Sequence, residues 1–153
     1  MLFRSLGRGP HSAASLDATV IGLVDRVTRR MRRAGRVGRT VTLRLRFDDF
    51  SRATRSHTLP RATSQTATVI DSVRALLMDA LPMIRKRGVT LVGIAMANLD
   101  GDDAVQLALP FDELHAPALD AVIDGVRDRF GNDAVGRAVL LGRRMGSVPM
   151  LPD

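Results

Sequence analysis

The residues with the clearest capacity for chemistry lie in an alternating stretch. Thr40, Thr42, Arg44 and Arg46 alternate with Val41, Leu43, Leu45 and Phe47. A period of two predicts a strand over residues 39–47, with one apolar face and one face of hydroxyls and guanidiniums. Side chains on one face recur every two rises of about 3.3 Å, a spacing similar to that of adjacent phosphates on one DNA strand. Residues 53–59 predict a second strand that adds Thr54, Arg55, Ser56, His57 and Thr58, with Pro60 ending it or marking an edge. Arg39, Thr40, Thr42, Arg44, Arg46, Thr54, Arg55, Ser56, His57 and Thr58 are therefore the candidate polyanion contacts, because Arg, Thr and Ser are groups that position a duplex through its phosphates. A merely solvated outer strand face has the same pattern.

Other chemistries lack their parts. His11, His57 and His115 stand apart with no metal-ligand spacing, and the chain has no cysteine. Neither a nucleophile motif nor a lysine-bearing phosphate loop is present. The adjacent acids Asp48 and Asp49 read as a charged turn, since neighbouring strand-end residues point apart and a two-metal site needs further acids. No catalytic residue and no metal site is assigned.

Charge supports a polyanion partner. Lys+Arg number 23 and Asp+Glu 16, for a net charge of +7. Eleven arginines and only two acids, Asp48 and Asp49, lie between Arg26 and Arg55, whereas 98–133 is acidic, with Asp120, Asp124 and Asp128 among its residues. A basic region of this kind favours nucleic acid over a membrane surface. With few Phe and neither Trp nor Tyr, backbone contacts to a duplex are favoured over base stacking on a single strand. The apolar runs are far shorter than the ~20 residues of a membrane span. The absence of cysteine fits a reducing cytoplasm.

The elements that must position these residues follow from periodicity. Residues 15–34 predict a helix capped by Ser15 and ended by Gly35, with Leu16, Val20, Leu23, Val24, Val27 and Met31 on one face. Residues 66–81 predict a second helix that Pro82 ends or kinks. Residues 89–97 predict a central strand, in which Gly93 marks a bulge or a close backbone approach. Phe3–Leu6 reads as the remnant of an edge strand. Residues 98–104 read as a polar linker. Residues 117–130 predict an amphipathic helix carrying Leu119, Val122, Ile123, Val126 and Phe130, which packs back in preference to making a second protein contact. The order implies an α+β fold, a split β-α-β sandwich with a four-stranded sheet and two helices on one face, plus a short C-terminal helical extension. Covering one sheet face leaves the other open.

Between two acidic pairs lies the apolar run Val105-Gln106-Leu107-Ala108-Leu109-Pro110-Phe111. Apolar side chains in linker sequence anchor partner pockets, and a final edge strand would read the same way. Gln106, Leu107, Leu109 and Phe111 resemble the bacterial sliding-clamp-binding motif. The stretch from Gly38 to Phe50, the run Thr54 to Pro60, and Val89-Thr90-Leu91-Val92-Gly93 resemble the little-finger domain of Y-family DNA polymerase IV, in its extended, actinobacterial-like form. The resemblance covers residues 3–111.

The resemblance implies a duplex DNA-gripping domain over residues 1–104, a clamp-binding peptide over 105–112 and an extension over 113–153. The implied partners are primer–template DNA, the β sliding clamp and the rest of the polymerase. It implies a translesion function in the cytoplasm, at the nucleoid. Magnesium would be held by palm acids that these residues do not include, so no polymerase activity is expected of the chain itself. The alternative is a free-standing, non-catalytic regulatory protein that binds DNA and the clamp.

Overall fold

The computed structural model describes residues 2–7, 9–101 and 116–136. In chain order the elements are β1 (Leu2–Ser5), α1 (Ala13–Arg33), β2 (Arg36–Phe47), β3 (Arg52–Thr63), α2 (Thr66–Arg87), β4 (Val89–Ala97), β5 (Asp100–Gly101) and α3 (Ala116–Phe130). The sheet runs β1-β4-β2-β3, and β5 pairs with the start of β2. All these pairings are antiparallel. Each long crossover therefore skips one strand: β4 sits between β1 and β2, and β2 sits between β3 and β4. This is the split β-α-β arrangement, with an edge strand at Leu2–Ser5, one residue earlier than the Phe3–Leu6 expected.

The core lies between the sheet and the pair α1 and α2. Val41, Leu43, Leu45 and Phe47 of β2 are buried, as are Val92 and Ile94 of β4. They pack in one cluster with Leu16, Val20, Leu23, Val24, Val27 and Met31 of α1 and with Val69, Val73, Leu76, Leu77 and Ile84 of α2. Each large aliphatic side chain so buried stabilises the fold by about 1.5–3 kcal/mol. A buried polar contact joins the two helices: Thr28 Oγ1 lies 2.8 Å from Thr66 Oγ1. Thr28 also donates to its own helix at Val24 O, 2.9 Å away.

Several boundaries differ from expectation for local reasons. Ser12, not Ser15, caps α1; its hydroxyl accepts from the Ser15 amide at 3.0 Å, which makes Ser15 the third helical residue. β2 begins at Arg36 and β3 continues to Thr63, so Pro60 lies inside a strand. β3 is an edge, where a missing N–H can face solvent. Pro82 neither ends nor breaks α2, which runs on to Arg87. Pro82 and Met78 are both exposed, so the carbonyl that Pro82 leaves unpaired faces water. The linker is not wholly irregular, since Asp100 and Gly101 pair with Val37 and Arg36.

The third helix packs back with only part of its apolar set, since Ile123 and Val126 are half-buried. Leu119, Val122 and Phe130 are exposed, whereas Asp120 and Arg127 are buried. The helix docks by charge. Arg32 forms a bidentate pair with Asp124 at 2.6 and 3.0 Å, Arg29 pairs with Asp128 at 2.8 Å, and Arg127 pairs with Asp25 at 2.8 Å. Arg29, Arg32, Arg127, Asp25, Asp120 and Asp124 are each at most 15% exposed.

Candidate nucleic-acid interface

Cross-strand register determines which side chains share the open sheet face. Thr40 lies opposite Thr58, Thr42 opposite Ser56, Arg44 opposite Thr54 and Arg46 opposite Arg52. These eight residues project away from the helices, because their neighbours Val41, Leu43 and Leu45 fill the core. The face has two zones. At the hairpin end stand three guanidiniums, Arg44, Arg46 and Arg52. At the other end hydroxyls pair across the strands: Thr42 with Ser56 at 3.0 Å and Thr40 with Thr58 at 3.3 Å. Asn98 donates to Thr40 Oγ1 at 2.7 Å and closes that row.

Beside the donors runs a nearly flat strip. The open-face residues of β4 opposite Arg44, Thr42 and Thr40 are Gly93, Ala95 and Ala97. A Cβ at Gly93 would come 3.3 Å from Phe3 Cβ and 3.7 Å from Arg44 Cβ. The close approach expected at Gly93 is therefore between β1, β4 and β2 on this face. A ligand that follows the sheet can lie low over β4 while reaching donors on β2 and β3.

Three expected contacts lie elsewhere. Arg55 and His57 are opposite Leu43 and Val41, so they project from the helix side of β3, where both are exposed beyond the helical cover. The strand reading took every residue from Thr54 to Thr58, but a strand turns only alternate side chains to one face. Arg39 occupies the irregularity between the Gly38 and Thr40 pairings, and its Nε donates to Leu59 O at 2.8 Å. Arg52 was not anticipated. Counting back by two from Thr54 finds it once the strand is extended to residue 52. Gln106, Leu107, Leu109 and Phe111 lie outside the described residues.

The electrostatics of the face are distinct. Ion pairs join α1 to α3 and Asp17 to Arg74, whereas none among the described residues involves Arg44, Arg46 or Arg52. Arg46 is partly held by Thr90 Oγ1 at 3.4 Å. β2, β3 and β4 contain no acidic residue. The arrangement supplies N–H and O–H donors with positive charge, which is suited to phosphate oxygens. No group of three or more His, Asp or Glu able to hold a metal ion occurs among the described residues. Among those residues no helix is long and apolar enough to cross a membrane.

Fold and face together define an α+β domain in which two helices close one side of an antiparallel sheet and donors crowd the other. Residues 3–109 match the model of the impB/mucB/samB family C-terminal domain, and the chain belongs to that family. It is 36% identical over 161 residues to DNA polymerase IV 2 of Mesorhizobium japonicum, covering 95% of this chain and 38% of that protein. It is 33% identical over 137 residues to DNA polymerase IV 2 of Bacillus subtilis, covering 86% of this chain and 32% of that protein. The chain thus spans roughly a third of the length of these curated relatives. A solved complex of the β-clamp processivity factor and the little finger domain of PolIV contains a chain of similar fold. Its TM-score is 0.51, with 24% identity, over 65% of this chain and 86% of that one.

Proposed function

We propose that this chain is the duplex-gripping little finger of a translesion DNA polymerase, tethered to the β sliding clamp through residues 105–112. The observation that carries the first part is the acid-free open face, where Arg44, Arg46 and Arg52 stand beside the hydroxyl row and the flat β4 strip. Its donors hold primer–template DNA by backbone phosphates rather than by base identity. Phosphate contact by this face fits the family to which the chain belongs. In this reading residues 1–104 grip DNA, and Gln106, Leu107, Leu109 and Phe111 fill a pocket on the clamp. Residues 113–153 form an extension. Polymerisation, with its magnesium ions, is assigned to palm carboxylates of the parent polymerase and not to these residues. The working compartment is the cytoplasm, on the nucleoid.

The test is a pair of titrations on one sample. Duplex affinity is expected to fall with salt at a log–log slope near −4 to −5, for about five phosphates neutralised; a salt-independent affinity contradicts the grip. Leu109→Ala with Phe111→Ala is expected to abolish clamp binding and leave duplex affinity unchanged. Clamp binding that survives both substitutions removes the tether from the proposal.

A further inference from the structure

The loop between β2 and β3 carries an aromatic side chain at a position where the backbone favours glycine. Phe50 N donates to Phe47 O at 2.9 Å, and Phe47 N donates to Ser51 O at 2.9 Å. These bonds close Asp48-Asp49-Phe50 as a tight hairpin loop whose last residue is left-handed. Phe50 accordingly has φ 65°. Glycine enters that region without steric cost, whereas a side chain is strained there. The ring gains little burial in exchange, since Phe50 is 69% exposed. Strain held at an exposed side chain points to a role outside folding.

The backbone of this tip is fixed from both sides. Asp49 Oδ1 accepts from the Ser51 amide at 3.0 Å and from the Ser51 hydroxyl. Asp48 N donates to Gly88 O at 3.0 Å, which ties the loop to the end of α2. The ring is thus presented from a preorganised turn. Its surroundings are basic. Arg46 and Arg52 lie opposite one another where the two strands meet the loop. Arg87, in the last turn of α2 with Arg85 and Lys86, reaches Ser51 Oγ at 3.4 Å. Of the two acids in the loop, Asp49 is engaged by Ser51, and Asp48 is half-buried against Gly88.

An exposed ring among guanidiniums matches a nucleotide, because the cations hold its phosphate while the ring covers the face of its base. Within a duplex each base face is already covered by its neighbours, so the base that reaches Phe50 is an unpaired one. A single ring serves one base rather than a track of them, in keeping with a chain that has neither Trp nor Tyr.

We propose that Phe50 is a stacking site for one unpaired base beside the arginine end of the open face, so that the chain prefers duplex that continues into a single strand. The proposal rests on the duplex grip of that face and adds a base contact at its hairpin.

The experiment titrates the full chain with two probes at one salt concentration: a duplex with a short single-stranded overhang, and the same duplex with an abasic overhang. The phosphates are the same in both, so a difference in Kd reports the bases. The probe with bases is expected to bind about ten-fold tighter, within the range that one stacked base contributes. Phe50→Gly is expected to remove the difference, and because glycine accepts the left-handed position the variant keeps the turn. Equal affinity of the unmodified chain for the two probes overturns the proposal, as does a difference that survives Phe50→Gly. Failure of the grip itself is separately visible, since affinity for the abasic probe would then survive Arg44→Ala, Arg46→Ala and Arg52→Ala.

Discussion

Arg29 and Arg32 on one layer, and Arg44, Arg46 and Arg52 on the other, come from the same basic stretch of sequence. Their surroundings are opposite. The first pair is pressed against Asp120, Asp124 and Asp128 and is nearly buried. Burial works against the charge on Arg32, yet the Asp124 hydrogen bond, with Asp120 and Asp25 nearby, outweighs it and raises the pKa. The second group stands on a sheet face whose strands carry no acid. Arginine density along the chain therefore says little about where positive potential is free. Part of it serves internal attachment, and only the remainder is open to a partner.

Exchanging the two groups for alanine separates these roles most sharply. Arg29→Ala with Arg32→Ala leaves the buried Asp120 carboxylate without its cation, and is expected to cost about 3–5 kcal/mol in denaturant unfolding. Duplex binding by the folded fraction should be unchanged. Arg44→Ala, Arg46→Ala and Arg52→Ala together should do the reverse. Stability moves by less than about 0.5 kcal/mol per site, while the salt slope of duplex binding flattens by about 2.7 for three lost phosphate contacts. Equal stability losses in the two variants would erase the distinction between them.

Shape can be tested apart from charge. Gly93 lies between Phe3 and Arg44 on the open face, and a leucine there would stand above the flat strip. Gly93→Leu is expected to weaken duplex binding several-fold with the salt slope intact, because no cation is lost. An unaffected affinity would confine the interface to β2 and β3.

The reach of the sequence differed between the layers for physical reasons. β4 was readable to the residue over 89–97, since a strand covered on one side and central in the sheet is nearly all apolar. The apolar half of β2 gave its facing directly. β3 did not, because between Ala53 and Leu59, which pack on the core, its alternates are not apolar: Arg55 and His57 are as polar as Thr54 and Ser56. Pro82 misled because propensity cannot report that the unpaired carbonyl faces water. The acidic row of α3 was visible, but its partners lie about ninety residues away, and local pattern carries no information on such pairing. Of the apolar residues of α3, Ile123 and Val126 are half-buried while Leu119, Val122 and Phe130 are exposed, because the ion pairs set how the helix is turned.

The smallest expected effect concerns the hairpin that joins β2 and β3, whose Asp48 and Asp49 are the acids nearest the open face in sequence. Asp49 Oδ1 accepts from the Ser51 hydroxyl and from the Ser51 amide, the latter at 3.0 Å. The hydroxyl, then the amide, hold the Asp49 carboxyl below its ordinary range. A depressed folded-state pKa means that the unfolded chain takes up the proton first. The resulting stabilisation is present above the unfolded value of about 3.9 and disappears as pH falls through the folded value. Ser51→Ala removes the larger of the two causes. Its melting temperature is expected to lie slightly below that of the unmodified chain at neutral pH, with the gap closing below pH 4. A gap that stays constant into acid would mean that Ser51 steadies the hairpin without Asp49, for instance through Arg87, whose Nη1 lies 3.4 Å from the same hydroxyl. The sheet face would then contain no acid-sensitive contact at its hairpin, and its contrast with the carboxylate-held helix layer would be wider still.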